Sequence, residues 1–323
     1  MIKGKIDPHV HCRDGAQSYK ETIRHVFEIA KSQGVENIFD MPNTSPPILF
    51  EKDVKERLKL VPEEKKGNYF LYVGASAEVR QLEEAVSCYN KFSEVIGIKL
   101  YAGQSVGDLA VIEEEKQQKI YKTLADLNYK GVIAVHCEKE AYIKPEIWDP
   151  SDPITHSLSR PKSSEIESIK DQIRFAIEAK FNGILHICHV SCPESVDLIE
   201  NARRENKIKI TCGVTPHHIL WDIRMLRGPY GLLYKMNPPL RDENDIEFLR
   251  QYLKEEKIDW IETDHAPHAI GEKLFTPHMS GYPSLYLYKK FVNEFMPSLG
   301  ISKEQIENLT QNNIIKTFGD KLQ

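Results

Sequence analysis

His9 and His11 stand two residues apart near the start of the chain. In an extended segment residues i and i+2 point to one face, so the pair can clamp a single ion. One such pair is a weak signal by itself. Residues of the same kind recur much later: Lys99 between Ile98 and Leu100, His136 before Cys137, His186 and His189, and the run Thr263-Asp264-His265-Ala266-Pro267-His268. Histidines, an aspartate and a buried lysine gathered at one place suit metal-assisted hydrolysis, in which a bound cation polarises a carbonyl and makes hydroxide available near neutral pH. Arg13, two positions beyond His11, offers a planar fork for a carboxylate.

Spacing sorts these candidates further. His186 and His189 are an odd number of residues apart and are expected on opposite sides of one strand. His189, at the strand end, is the expected ligand and His186 a hydrogen-bonded structural histidine. Lys99 falls in a run that should be buried, where an unpaired ammonium is costly. It is either salt-bridged to a carboxylate or carbamylated into an anion that bridges two cations. His25 in a helix, and His156 and His278 in loops, read as surface or packing residues. His217 and His218 read as support near the same rim, and His268 is a better candidate than His265 for touching a ligand.

Short β-branched runs alternate with longer amphipathic stretches and must position these groups. Strands are expected at 2–9, 35–41, 69–75, 95–101, 131–136, 184–189, 207–214 and 258–263. Helices are expected at 19–33, 51–60, 78–89, 113–128, 163–180, 194–205 and 244–256, with further tracts at 283–295 and 303–317. In 163–180, Ile166, Ile169, Ile173, Ala176 and Ile177 mark one apolar face. Strict alternation implies parallel strands with helical crossovers. Eight such units point to an α/β fold, a (β/α)8 TIM-type barrel with its site at the C-terminal strand ends. A doubly wound open sheet is the alternative, though no Gly-rich phosphate loop follows any strand. Residues 1–323 read as one barrel domain without a sizeable flanking β-sandwich, with a polar excursion at 143–164.

Composition excludes several classes. Lys plus Arg total 43 against 48 Asp plus Glu, a net charge of −5, so there is no basic excess to grip nucleic acid. Apolar stretches are far shorter than the roughly 18 residues of a membrane span, and the charged start does not resemble a signal peptide. Six cysteines without a CxxC pair suit reduced thiols in a cytoplasm.

The runs Asp7–Gly15, Met41-Pro42-Asn43-Thr44 and Thr263–His268 together resemble the dihydroorotases of the amidohydrolase superfamily. Gly97–Tyr101, His186–Ser191, Thr215–His218 and Lys235–Arg241 support the likeness in the family's order. The resemblance implies two zinc ions, one held by His9, His11 and Asp264, the other by His136 and His189, with carbamylated Lys99 between them. It implies a hydroxide shared by the metals as nucleophile and Asp264 as proton shuttle. Arg13, Asn43 and His268 would hold the substrate carboxylate, and Asn237, Ser280 and Gly281 would complete the pocket. Cys12, between the histidines, should face away. The implied reaction closes N-carbamoyl-L-aspartate to L-dihydroorotate in pyrimidine biosynthesis. Implied partners are that small molecule and either a second copy of the chain or the aspartate transcarbamylase. Alternatives are a hydantoinase, dihydropyrimidinase or allantoinase, or a non-catalytic partner of the transcarbamylase.

Overall fold

The β-branched runs form eight strands in a computed structural model that describes residues 3–105 and 109–322. Residue 2 of the first expected strand lies outside the described residues. The strands are β1 Ile6–Val10, β2 Asn37–Asp40, β3 Tyr69–Gly74, β4 Val95–Ala102, β5 Val132–Cys137, β6 Ile184–Ile187, β7 Lys209–Val214 and β8 Trp260–Ile261. Each pairs in parallel with the next, in chain order. Beyond β8 the circle closes: Val10 bridges His265, and His11 N–H donates to His265 O at 2.8 Å. Neighbouring first and last strands distinguish this barrel from a doubly wound open sheet, whose ends stay apart.

The principal crossover helices are α1 Ile23–Gln33, α2 Glu51–Lys59, α3 Val79–Lys91, α4 Glu114–Asp126, α5 Lys162–Glu178, α6 Pro193–Glu205 and α7 Glu243–Lys254. In α1 the Thr22 side chain caps the His25 N–H, and Gly34, at φ 74°, closes the other end in the left-handed region. Helix α5 corrects the expected apolar face. Ile169 and Ala176 are buried, but their buried companions include Glu165, Ser168 and Gln172, while Ile166, Ile173 and Ile177 are half-buried. Hydrogen bonds compensate the polar burial: Glu165 accepts from Ser191 N–H at 3.0 Å and Ser195 Oγ at 2.6 Å, and Gln172 accepts from Tyr121 at 3.0 Å.

The barrel interior holds a cluster that includes Ile6, Phe39, Phe70, Tyr72, Trp260 and Phe318. Phe318, from the last helical tract, packs edge-on against Phe39 at 5.2 Å and reaches Trp260 at 6.0 Å. This plug meets Ile6, Val132 and Ile184, the first residues of their strands, so it seals the N-terminal end and leaves the opposite end for chemistry. The expected helix at 283–295 is broken into a 3-10 turn, Ser284–Leu287, an α turn, Tyr288–Lys290, and a π turn, Phe291–Phe295.

Candidate active site

At the C-terminal rim, His9, His11, Lys99, His136, His189 and Asp264 line one recess with Arg13, Asn43, Asn237, Ser280 and Gly281. Three of these residues owe their direction to backbone turns. Arg13, His189 and Asp264 have φ of 55°, 37° and 47°, a left-handed region that costs non-glycine residues energy and collects at functional sites. His189 shows the consequence. Strand β6 ends at Ile187, so the alternation expected to separate His186 from His189 stops before His189. His186 faces inward, stacked on Trp260 at 4.3 Å and bonded to Glu262 at 3.1 Å. The turn brings the His189 ring back over the same interior, 4.9 Å from His136 and 5.2 Å from His9 between ring centroids.

The donor set fits cations. His9, His11 and Asp264 each offer a ligand atom, all within 4.8 Å of one another. His11 Nε2 is 2.9 Å and His9 Nε2 3.4 Å from Asp264 Oδ1, while His136 Nδ1 and His189 Nε2 face each other at 3.2 Å. Two ligands on one tetrahedral zinc, at about 2.0–2.1 Å each, stand roughly 3.3 Å apart. Lys99 is wholly buried between the two groups, and its ammonium donates to Cys188 Sγ at 3.1 Å. Among the described residues no carboxylate forms an ion pair with it, so a thiol occupies the place where a salt-bridge partner was an option. Cys12 packs in the hydrophobic layer outside the barrel interior, facing away as expected.

Carboxylates back the candidate ligands. Glu138 lies 3.0 Å from His136 Nε2, and Glu262 lies 3.5 Å from His9 Nδ1 and accepts from His189 N–H at 2.6 Å. Burial and the Lys99 ammonium oppose protonation of His9, yet Asp264, Cys188 and Glu262 outweigh them and lift it to about 9. Burial brings His11 down to about 4 despite its bond to Asp264. Burial also penalises the Asp264 carboxylate, but the His9 charge and the His11 hydrogen bond hold it well below the ordinary carboxylate range. Cys188 falls to about 5, because the Lys99 charge outweighs burial. Inspection of the sequence alone missed Glu138, Glu262, Cys188 and Tyr101. The carboxylates carried a signal: each stands two residues from a candidate ligand, His136 or Asp264.

Arg13 adds a second cation to the recess lining beside Lys99. Arg13 is buried; its Nε donates to Pro267 O at 3.2 Å, Nη2 lies 3.2 Å from His268 Nε2, and Nη1 has no hydrogen-bond partner among the described residues. Asn43 Oδ1 meets His11 Nδ1 at 2.7 Å. Among the described residues, Asn237 Oδ1 is buried without a hydrogen-bond partner, as is the Tyr101 hydroxyl on the recess wall. His268 lies behind Arg13 rather than on the wall, with Nε2 also 3.0 Å from Ser280 O. Gly281 has φ 145°, and a Cβ there would lie 2.4 Å from Ala266 O, so only glycine lets this loop approach.

No protein-family model matches the chain. The dihydroorotase of Methanosphaera stadtmanae is 30% identical over 328 aligned positions, spanning 98% of this chain and 71% of the relative. The chain belongs to the dihydroorotase family. The dihydroorotase of Methanothermobacter thermautotrophicus is 31% identical over 282 residues, covering 84% of this chain; the match spans only 59% of that relative's length. Among solved structures the L-hydantoinase of Arthrobacter aurescens superposes with a TM-score of 0.83 at 24% identity, over 98% of this chain and 71% of its own, so the two share a fold. No helix among the described residues is long and apolar enough to cross a membrane.

Proposed function

We propose that this member of the dihydroorotase family is a zinc-dependent dihydroorotase, interconverting N-carbamoyl-L-aspartate and L-dihydroorotate in pyrimidine biosynthesis. His9, His11 and Asp264 would hold one zinc, His136 and His189 a second, with Lys99, as a carbamate, between them. Bound zinc would polarise the ring carbonyl and lower the pKa of water from about 15.7 towards 7. Asp264, held as a carboxylate, accepts the proton that water gives up and returns it to the ring nitrogen as the C–N bond breaks. Ring closure runs the same transfers backwards.

The observation that carries the reading is Arg13 Nη1, a buried donor without a hydrogen-bond partner among the described residues, on a side chain that lines the recess with the histidines. A neutral ring leaves that charge uncompensated; a ring carboxylate satisfies it. Asn43, Asn237 and the Ser280-Gly281 segment surround the same space, and His268 backs Arg13. The reading treats residues 1–323 as one barrel unit acting in the cytoplasm, as a homodimer or with the aspartate transcarbamylase, a point for light scattering with and without that partner. The direct test is ring opening of L-dihydroorotate, followed by ultraviolet absorbance, by zinc-loaded wild type and Arg13→Met. Loss of a charged carboxylate contact, about 3 kcal/mol, predicts a fall of at least a hundredfold in kcat/KM with zinc content retained. Equal turnover by both proteins removes Arg13 from the site.

A further inference from the structure

Beside the recess lie two buried lysines, Lys235 at 8% and Lys273 at 4% exposure, for which no carboxylate forms an ion pair among the described residues. Burying an ammonium without a counter-charge is expensive unless every N–H finds an acceptor. Here four of the five acceptors belong to residues 278–281. Lys273, on the short helix Ile270–Leu274, donates to Lys235 O at 3.0 Å, Met279 O at 3.3 Å and Gly281 O. Lys235 donates to His278 O and Ser280 Oγ, both at 2.7 Å, with its ammonium 5.1 Å above the Trp148 ring. Two cations from different segments thus gather the polar groups of residues 278–281, and Ser280 and Gly281 form part of the recess wall.

We propose that Lys273 is a positioning residue for the substrate-facing loop 279–281, holding it in the shape that binds the acidic substrate. The proposal rests on the dihydroorotase reading for the identity of that substrate. A methionine would fill the same volume, so packing alone does not call for a charge. Three carbonyls converging on one point do call for a donor, because they repel one another without it. The loop passes the constraint on: Ser280 O touches His268, and His268 touches Arg13. Lys273 reaches no substrate itself, and its effect is on binding.

Lys273→Met and Lys273→Gln test this in the zinc-loaded protein, with KM and kcat for L-dihydroorotate read beside amide hydrogen exchange. The expected result for Lys273→Met is a KM raised about tenfold with kcat within twofold and zinc content unchanged. Lys273→Gln, which keeps a donor without the charge, should raise KM about threefold, and it carries the test if the methionine variant fails to fold. The Met279 and Gly281 amides, which donate to Glu272 O at 2.8 Å and Lys235 O at 2.9 Å, should exchange at least tenfold faster, while β4 and β5 stay as protected as before. Unchanged KM and unchanged exchange overturn the proposal. So does a fall in kcat with loss of zinc, which marks general damage to the site. A wild type that leaves dihydroorotate intact defeats the functional reading instead, and exchange at 279–281 then decides the loop claim alone.

Discussion

Glu138 accepts from His136 Nε2 at 3.0 Å and is gripped by Arg160 through Nε at 2.9 Å and Nη2 at 2.7 Å. Burial alone would raise its pKa, but Arg160 and His136 hold it well below the usual carboxylate range. A carboxylate there keeps the proton of His136 on Nε2 and leaves Nδ1 bare towards His189. Such carboxylate–histidine pairs typically contribute 10–100-fold in metal affinity. Glu138→Gln is therefore expected to lower zinc affinity at one site by that factor while the other stays filled, read by titration against a chelator. Full retention of two equal sites would contradict the orienting role.

At the scale of elements, β7 has to leave room for a side chain of β8's extension. A Cβ at Gly213 would lie 2.5 Å from the Glu262 carboxyl carbon. Gly213→Ala is expected to cost about 1–3 kcal/mol, as overpacking of a close-packed interior does, measured by urea unfolding. The Lys273 anchor makes a second prediction. Burial and the Lys235 charge bring its pKa from 10.5 down to about 7. Between those values the unfolded chain binds the extra proton, so the stability this side chain contributes rises with pH, at no more than about 1.4 kcal/mol per unit. Relative to Lys273→Met, wild type should gain stability from pH 7 to 10; a constant difference would contradict the buried, uncompensated charge. Elements also mark where the sequence was legible. Parallel strands and their helices could be read because periods of 2 and 3.6 differ and most strands are buried along their whole length. The α5 face was misjudged because hydrogen-bonded Glu165 and Gln172 took core positions. The expectation that His186 and His189 lie on opposite sides fails because β6 ends at Ile187, two residues short of the expected strand. Cys188 carries no local signal because its part in the site rests on the contact with Lys99, distant in sequence.

Across the whole molecule, barrel closure brings together residues as distant in sequence as His11 and Asp264, joined at 2.9 Å. A cation held by both ends of the chain binds the folded state alone, so it stabilises the fold by mass action, about 2.7 kcal/mol at a hundredfold excess over Kd. Chelation should lower Tm and added zinc restore it. An unmoved Tm would separate the histidine cluster from metal binding. Under the proposed reading, the candidate metal ligands and the Arg13 Nη1 donor, left without a partner among the described residues, together select a cyclic amide that also carries a carboxylate. The decisive measurement is kcat/KM of the zinc-loaded protein for L-dihydroorotate beside dihydrouracil and hydantoin. The account predicts turnover of dihydroorotate at least a thousandfold ahead of either neutral ring. Comparable or faster opening of the neutral rings would contradict it, keeping the metal chemistry but removing Arg13 as the selector.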